Sequence, residues 1–331
     1  MIIEDNALIT NSLGIKSTCK FLLTLENDSD LEELKLFLRN TKYKYYIVGE
    51  GTNLVLPNFY DGCIIQTKFT NIIEDNVNQT LKVGAAYNWT DLVHFCISND
   101  INGFENLIDI PGSVGAAPIQ NIGAYGAEVA SLIKSIDCFC LKDYKKVSLN
   151  NAQCNFQYRN SSLKNAQLLI CNINFVTDKK QEISINYQSI KNYLKNNIIN
   201  ISSNSDVANV VSTIRANTLP DPKIINNVGS FFKNPIVHLN SINFDQYSKD
   251  ELIIWDYSPS QVKVGAARLI DLIKNDIPKY KNVSLYEKHA LVLTTNGRAT
   301  QDEIISFASD IQLLVFRTFN INLEIEPNII F

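Results

Sequence analysis

The stretch "PGSVGAAPIQNIGAYGAE", residues 111–128, holds four glycines, four alanines and two prolines in eighteen positions. Such a segment gives up helix and strand propensity, and its glycines carry the largest ordering entropy of any residue. A flexible linker would favour Gly, Ser and charge, whereas Val114, Ile119, Ile122 and Tyr125 interrupt the small residues here. The composition suits a backbone that must come very close to something large.

Working toward the N-terminus, "KYYIVGEGTNLVL" (44–56) reads as strand, Gly-rich turn and strand. That is a β-β unit, not the strand-to-helix entry of a Rossmann fingerprint, and no GK[ST] follows to make a phosphate loop. Gly49-Glu50-Gly51-Thr52-Asn53 and Gly112-Ser113-Val114-Gly115 both offer successive N–H groups without bulky side chains. Such nests bind anionic oxygens, so a diphosphate can lie between them without a lysine cluster. With Gln120, Asn121 and Tyr125 able to meet a ring and its edge, the pair favours an extended dinucleotide.

Ser29-Asp30-Leu31-Glu32 predicts a capping box ahead of Leu31, Leu34, Phe37 and Leu38 at helical spacing. "TLKVGAAYNWTDLVHFCISND" (80–100) predicts a strand entering a helix capped at Thr90. "IKSIDCFCL" and "LLICNINFV" predict a sheet-rich lobe. "KNNIINISSNSD" (195–206) predicts a linker, followed from about Asp206 by a helix with Val207, Val210, Val211 and Ile214 on one face, ended by Pro220 and Pro222. A second capping box, Thr300-Gln301-Asp302-Glu303, opens a helix with a stripe of Ile304, Phe307, Ala308, Ile311 and Val315. In "INLEIEPNIIF" the alternation of Ile321, Leu323 and Ile325 with Asn322, Glu324 and Glu326 predicts a strand with both glutamates on one face.

The 331 residues are 45% hydrophobic and 19% charged, with a net charge of −4, which indicates a folded chain of two or three lobes and disfavours a dedicated nucleic-acid binder. No apolar run suggests a membrane span and no secretory signal pattern is evident, so a cytoplasmic protein is expected. Seven cysteines without a CxxC pair read as buried free thiols, and the scattered His94, His238 and His289 make a metal site unexpected. Arg159 in "QYRNSS" reads either as a surface arginine or as a carboxylate clamp. Ser230 in "NNVGSFFKNP" lacks GxSxG and a His-Asp partner, so it reads as a turn serine and not a hydrolase nucleophile. Glu324 and Glu326 read by default as a solvated face, and no spacing rule links them to Arg159 or Ser230.

At these residues the chain resembles the UDP-N-acetylenolpyruvoylglucosamine reductase family. The matching segments, in family order over nearly the whole chain, are "NSLGIKS", "VGEGTNLVL", "ENLIDIPGSVGAAPIQNIGAYGAE", "CNFQYRNS", "LPDPK", "NVGSFFKNP", "HALVLTTNG" and "LEIEP". The resemblance implies an α+β fold: a two-lobed FAD-binding domain of the PCMH type, like vanillyl-alcohol oxidase, then a C-terminal α+β substrate-binding domain. It implies an FAD region at 1–205, with lobes about 1–66 and 67–205, and a C-terminal domain at 206–331 whose last strand returns to the active site.

Three residues match the family's catalytic positions: Arg159 facing the enolpyruvyl carboxylate, Ser230 as general acid, and Glu326 stabilising the enol-like intermediate and orienting the proton donor. The implied FAD contacts are Gly49, Glu50, Gly51, Thr52, Asn53, Gly112, Ser113, Val114, Gly115, Pro118, Gln120, Asn121, Gly123, Ala124, Tyr125 and Arg215. Tyr187, Lys223, Asn234 and His289 carry over as substrate contacts. Tyr187 lies in an insertion that one of the two family subtypes possesses, so the chain resembles that longer subtype. Non-covalent FAD, NADPH as co-substrate, the enolpyruvyl sugar nucleotide as small-molecule substrate and a monomeric state complete the expectation, with hydride passing from flavin N5 to C3 and a proton from Ser230 to C2. Departures are Ala116 and Ala117 where some relatives place serines, and His289 where some have glutamine. A shortened "IIWDYSPSQVKVG" leaves Trp255 and Tyr257 as alternatives near the nucleotide. A related flavin oxidase and a catalytically silent nucleotide-binding module are the competing readings. The presence of "NVGSFFKNP" and "LEIEP" disfavours the first, and that of all three catalytic matches the second.

Overall fold

A computed structural model describes residues 1–164, 166–177 and 182–331. They form two compact units, one of Met1–Ala7, Cys19–Glu50 and Asp61–Asn217, the other of Leu8–Thr18, Gly51–Tyr60 and Thr218–Phe331. Helices and mainly antiparallel sheets are segregated in each, an α+β architecture.

The first unit holds a four-stranded sheet in the order Ile2–Leu8, Thr18–Leu25, Phe59–Thr67, Lys44–Ile47 and a five-stranded antiparallel sheet in the order Lys145–Asn150, Ile133–Cys140, Leu168–Val176, Thr80–Gly84, Ile72–Asp75. The helix Asp30–Asn40 buries Leu31, Leu34 and Leu38 with Leu23, Leu25, Phe69, Phe139 and Leu169, so the two sheets share one core. The expected capping box does not form. Ser29 makes no side-chain cap; Asp30 instead turns back to accept from the Glu26 and Asn27 N–H groups at 2.7 and 3.3 Å.

A second core of this unit centres on Trp89, Phe104 and Phe175, with ring centroids 5.4–6.2 Å apart, and the Trp89 indole donates to Leu107 O at 2.8 Å. The helix Trp89–Ser98 is capped by Asn88, whose Oδ1 accepts from Asp91 N–H at 3.2 Å, and not by Thr90. Asn88 wins because its short carboxamide reaches the third helical residue's N–H while its own backbone stays extended.

The stretch read as a linker is entered by a helix from each side, leaving only 198–203 outside them. One helix runs Gln188–Asn197 and the next, Asn204–Thr218, begins before Asp206. That second helix buries Val207, Ala208, Val210 and Val211 in the first unit's core. The compact units therefore divide after Asn217, where the sequence suggested 205/206.

The second unit has a three-stranded antiparallel sheet in the order Asn226–Ser230, His289–Thr295, Val283–Tyr286 and another in the order Ile236–Val237, Gln261–Val264, Ile254–Ser258. The helix Gln301–Phe319 is capped by Thr300, which accepts from Glu303 N–H at 3.2 Å. Glu303 does not close the box; its carboxylate takes the N–H and Nδ2 of Asn282 at 3.0 and 2.9 Å. Ile304, Phe307, Ala308, Ile311 and Val315 form the buried stripe that the spacing predicts. Among the described residues no helix is long and apolar enough to cross a membrane, and no group of three His, Cys, Asp or Glu is placed to hold a metal.

Candidate active site

In the first unit the two glycine-rich segments meet. A Cβ built on Gly49 would fall 2.5 Å from Ser113 Oγ and 3.6 Å from Ala116 Cβ, so glycine is what lets the two backbones approach. Gly112 has φ +125°, which favours glycine for a second reason. Among the described residues, the N–H groups of Gly49, Glu50, Gly112 and Ser113 donate to no protein group. Four unspent donors beside a cradle that a Cβ would fill match the chemistry of a diphosphate.

The next two N–H groups of the loop are spent on the 85–87 segment, which narrows the expected nest. Val114 N–H donates to Tyr87 O at 2.9 Å and Gly115 N–H to Ala85 O at 2.8 Å. Gly115 is small for a protein neighbour: its Cβ would lie 2.7 Å from Ala85 Cβ. Glu50 turns to Asn88, whose Nδ2 donates to Glu50 Oε1 at 3.0 Å. Asn121 N–H donates to Pro118 O at 3.3 Å. Gln120 and Asn121 are buried.

Gly123–Ala124 pairs with Ala127–Glu128 as a tight hairpin, and Tyr125 and Gly126 at its tip have φ +48° and +83°, the signs of a type I′ turn. Tyr125 meets Tyr187 edge to face, with centroids 5.5 Å apart. Asn106 Nδ2 donates to Tyr125 O at 2.9 Å and Ser184 O at 3.1 Å, tying the Tyr125 tip to the segment that leads into Tyr187. Burial lifts the Tyr125 phenol above its ordinary pKa, opposed by the Arg215 charge. Arg215, itself lowered by burial, donates from Nη2 to Asp109 O at 2.9 Å. Arg159 belongs to this unit, at the end of a two-residue tip between Gln157 and Asn160, and its Nη2 donates to Gly123 O at 2.7 Å.

In the second unit Gly51 has φ +72°, and a Cβ there would lie 3.0 Å from Asn11 Cα, so the 8–18 segment closes over it. Ser12 N–H donates to Gly51 O at 3.1 Å and Ser12 Oγ to Thr52 O at 3.3 Å, while Asn328 N–H reaches Asn53 O at 3.0 Å.

Ser230 ends the strand Asn226–Ser230 opposite Val292, beyond a bulge at which Gly229 has φ +71°. Asn227 staples the bulge: its Oδ1 accepts from Gly229 N–H at 2.8 Å and its Nδ2 donates to Ile225 O at 2.8 Å. The chain's tail lies against the segment after Ser230. Glu326 N–H donates to Phe231 O and Lys233 N–H to Glu324 O, both at 2.9 Å, around the Phe232–Ile325 bridge. Glu326 is thereby held one residue from Ser230, a link no spacing in the sequence reveals. The two glutamates differ: Glu324 is exposed and pairs with Lys233, while Glu326 is half-buried.

Of the remaining expected contacts, Asn234 uses Oδ1 to accept from Ala266 N–H at 2.9 Å, at the start of the helix Ala266–Ile273. Lys223 is exposed on a turn where its N–H donates to Asp221 Oδ1 at 2.9 Å. His289 begins the strand His289–Thr295, with its imidazole lowered below the ordinary value by burial. Trp255 and Tyr257 are exposed two residues apart on an outer strand of their sheet.

Residues 19–140 match the family model described as FAD binding domain, and residues 221–330 match "UDP-N-acetylenolpyruvoylglucosamine reductase, C-terminal domain". The chain is 35% identical over 330 residues to the UDP-N-acetylenolpyruvoylglucosamine reductase of Flavobacterium johnsoniae, covering 97% of this chain and 96% of that one. It is 34% identical over 325 residues to the enzyme of the same name from Polynucleobacter asymbioticus, covering 97% and 94%. The crystal structure of UDP-N-acetylenolpyruvylglucosamine reductase from Thermus caldophilus superposes with a TM-score of 0.67 at 20% identity, over 99% of both chains, a likeness of fold.

Fold and loops thus define a FAD-binding oxidoreductase, in which an FAD-binding domain precedes a C-terminal α+β domain. The chain belongs to the UDP-N-acetylenolpyruvoylglucosamine reductase family.

Proposed function

We propose that this protein reduces the enolpyruvyl ether of UDP-N-acetylglucosamine to UDP-N-acetylmuramate, a peptidoglycan precursor, with NADPH as the electron source. FAD would be held non-covalently by the N–H groups of Gly49, Glu50, Gly112 and Ser113 and, when bound, would supply the hydride-transfer chemistry between NADPH and the vinyl carbon C3 of the substrate.

The protein's own residues handle charge and protons. Hydride arrival at C3 leaves negative charge on C2, delocalised into the carboxylate, and the planar Arg159 fork stabilises it there by two parallel hydrogen bonds. Ser230 delivers the proton to C2, so one hydride and one proton together saturate the double bond. A serine hydroxyl is a weak acid, and this transfer relies on positioning and a strongly basic acceptor. Glu326 orients that hydroxyl and steadies the enol-like intermediate. Asn234 has committed Oδ1 to Ala266, which leaves Nδ2 to donate to the substrate. Tyr187, Lys223 and His289 complete the substrate contacts.

The observation that supports this reading most is the bond from Glu326 N–H to Phe231 O, which brings the tail beside the Ser230 bulge. The test is NADPH oxidation by the purified yellow protein with and without the enolpyruvyl sugar nucleotide. Stoichiometric consumption that depends on the nucleotide is expected, and acid precipitation should release the flavin into the supernatant. NADPH oxidation indifferent to the nucleotide, or colour kept in the acid pellet, would contradict the reading.

A further inference from the structure

We propose that Asn121, whose carboxamide is spent on protein partners, and Gly123 are positioning residues for Arg159. The inference rests on the reading of Arg159 as the carboxylate clamp.

Asn121 is 1% exposed with φ +47°, and three partners on two segments consume its carboxamide. Nδ2 donates to Glu128 Oε2 at 2.8 Å and to Gln157 O at 3.1 Å, and Oδ1 accepts from Ala130 N–H at 3.1 Å. Both amide protons and one acceptor lone pair are committed.

Gln157 O is the base of the arginine's turn. Gln157 and Asn160 exchange backbone hydrogen bonds of 2.9 and 3.1 Å, with Tyr158 and Arg159 between them. The Gln157 carbonyl accepts from both Asn160 N–H and Asn121 Nδ2 at 3.1 Å, filling its two lone pairs and fixing the turn against the loop. Arg159 itself sits at φ +52°, a conformation a long side chain adopts at a cost and keeps only when its surroundings impose it.

The far end of the side chain is held by the same loop. Nη2 donates to Gly123 O at 2.7 Å, and a Cβ on Gly123 would stand 3.0 Å from Nη1 and 2.9 Å from Ala127 O. Residue 123 must be glycine for the guanidinium to lie there. Asn121 therefore fixes the arginine's backbone and Gly123 its planar head, from positions two residues apart and about three dozen residues upstream.

The test uses the FAD-loaded enzyme carrying Asn121→Ala or Gly123→Ala, each alone and combined with Arg159→Lys. Either change should leave flavin content and the rate of flavin reduction by NADPH within about twofold of the parent. The KM for the enolpyruvyl nucleotide should rise, or its turnover fall, by roughly tenfold, the low end for losing the alignment of a charged hydrogen bond. Combined with Arg159→Lys, the further loss should shrink below about twofold, because the groups act through one residue. Should Asn121→Ala fail to fold, Gly123→Ala carries the same prediction. Loss of flavin with normal substrate kinetics would overturn the proposal, as would losses that multiply in the double variant. Unchanged turnover of Arg159→Lys would overturn the clamp reading and this inference with it, whereas multiplying losses overturn the inference alone.

Discussion

Arg159 stands on a turn and Ser230 at the end of a strand, each beside a buried asparagine, and the two asparagines work over different ranges. Asn227 acts over a short range, bridging Ile225 and Gly229 and donating also to Pro220 O at 3.3 Å, and the neighbouring strand supplies the remaining order through the Ser230–Val292 pairing. Asn121 acts at a distance, on a turn 36 residues downstream, and Gly123 does the same for the guanidinium. Ser230 is thus placed mainly by a backbone ladder and Arg159 mainly by side-chain bonds. Substitution near Ser230 should cost stability, and substitution near Arg159 should cost substrate handling.

The largest effect that sharpens this contrast is Arg159→Lys. Lysine keeps the charge but loses the fork, and one charge-assisted hydrogen bond is worth about 1.5–3 kcal/mol, so turnover of the enolpyruvyl substrate should fall roughly ten- to a hundredfold. Flavin reduction by NADPH should persist, and steady-state and half-reaction rates measured together check it. Next, Gly115→Val should damage the fold before it touches the cofactor. Its side chain meets Ala85 Cβ and O, and overpacking of this kind costs about 1–3 kcal/mol, readable as a shifted urea midpoint. Loss of flavin at unchanged stability would return Gly115 to the cofactor.

Asn227→Ala should follow at about 1–2 kcal/mol by urea titration, from leaving the Gly229 N–H without its acceptor in the bulge. An unaltered midpoint would mean that the ladder alone holds Ser230. The smallest effect concerns His289, whose folded pKa lies below the ordinary 6.5 because burial disfavours the charged imidazole. Below about pH 6.5 the unfolded chain binds a proton that the folded chain resists, so stability is full above that pH and falls as pH drops from it toward the folded value. In His289→Gln that acid-side slope should flatten, which denaturation at pH 5.5 and 7.5 would reveal; an identical slope would remove His289 as its source.

Much of this architecture was legible because its signals are local. The stripe from Ile304 to Val315, the strands of "IKSIDCFCL" and "LLICNINFV" and the small-residue loop all follow from period or composition. The misreadings arose where local rules compete. Asn88 and Thr90 both qualify as caps, and only the folded backbone shows that Asn88 reaches Asp91. The Asn-rich 195–206 stretch looks like a linker, yet helices enter it from both sides, and packing of Val207 and Val211 decides the matter. The site was legible as residue types but not as partnerships. Gly115 reads as an anion nest until Ala85 is seen against it, and the Phe231–Glu326 bond spans far too much chain for any spacing rule.

Stopped-flow separation of the two half-reactions in Ser230→Ala tests the central claim most directly. If Ser230 gives C2 its proton, the variant folds, holds FAD and is reduced by NADPH at the parent rate, since that step needs no proton from serine. Reoxidation by the enolpyruvyl nucleotide should then fall by at least the ~10²–10⁴-fold that a single general acid contributes, and Ser230→Cys should recover part of it. Normal reoxidation of the alanine variant would contradict the account, and equal slowing of both halves would mark Ser230 as a structural residue of its bulge.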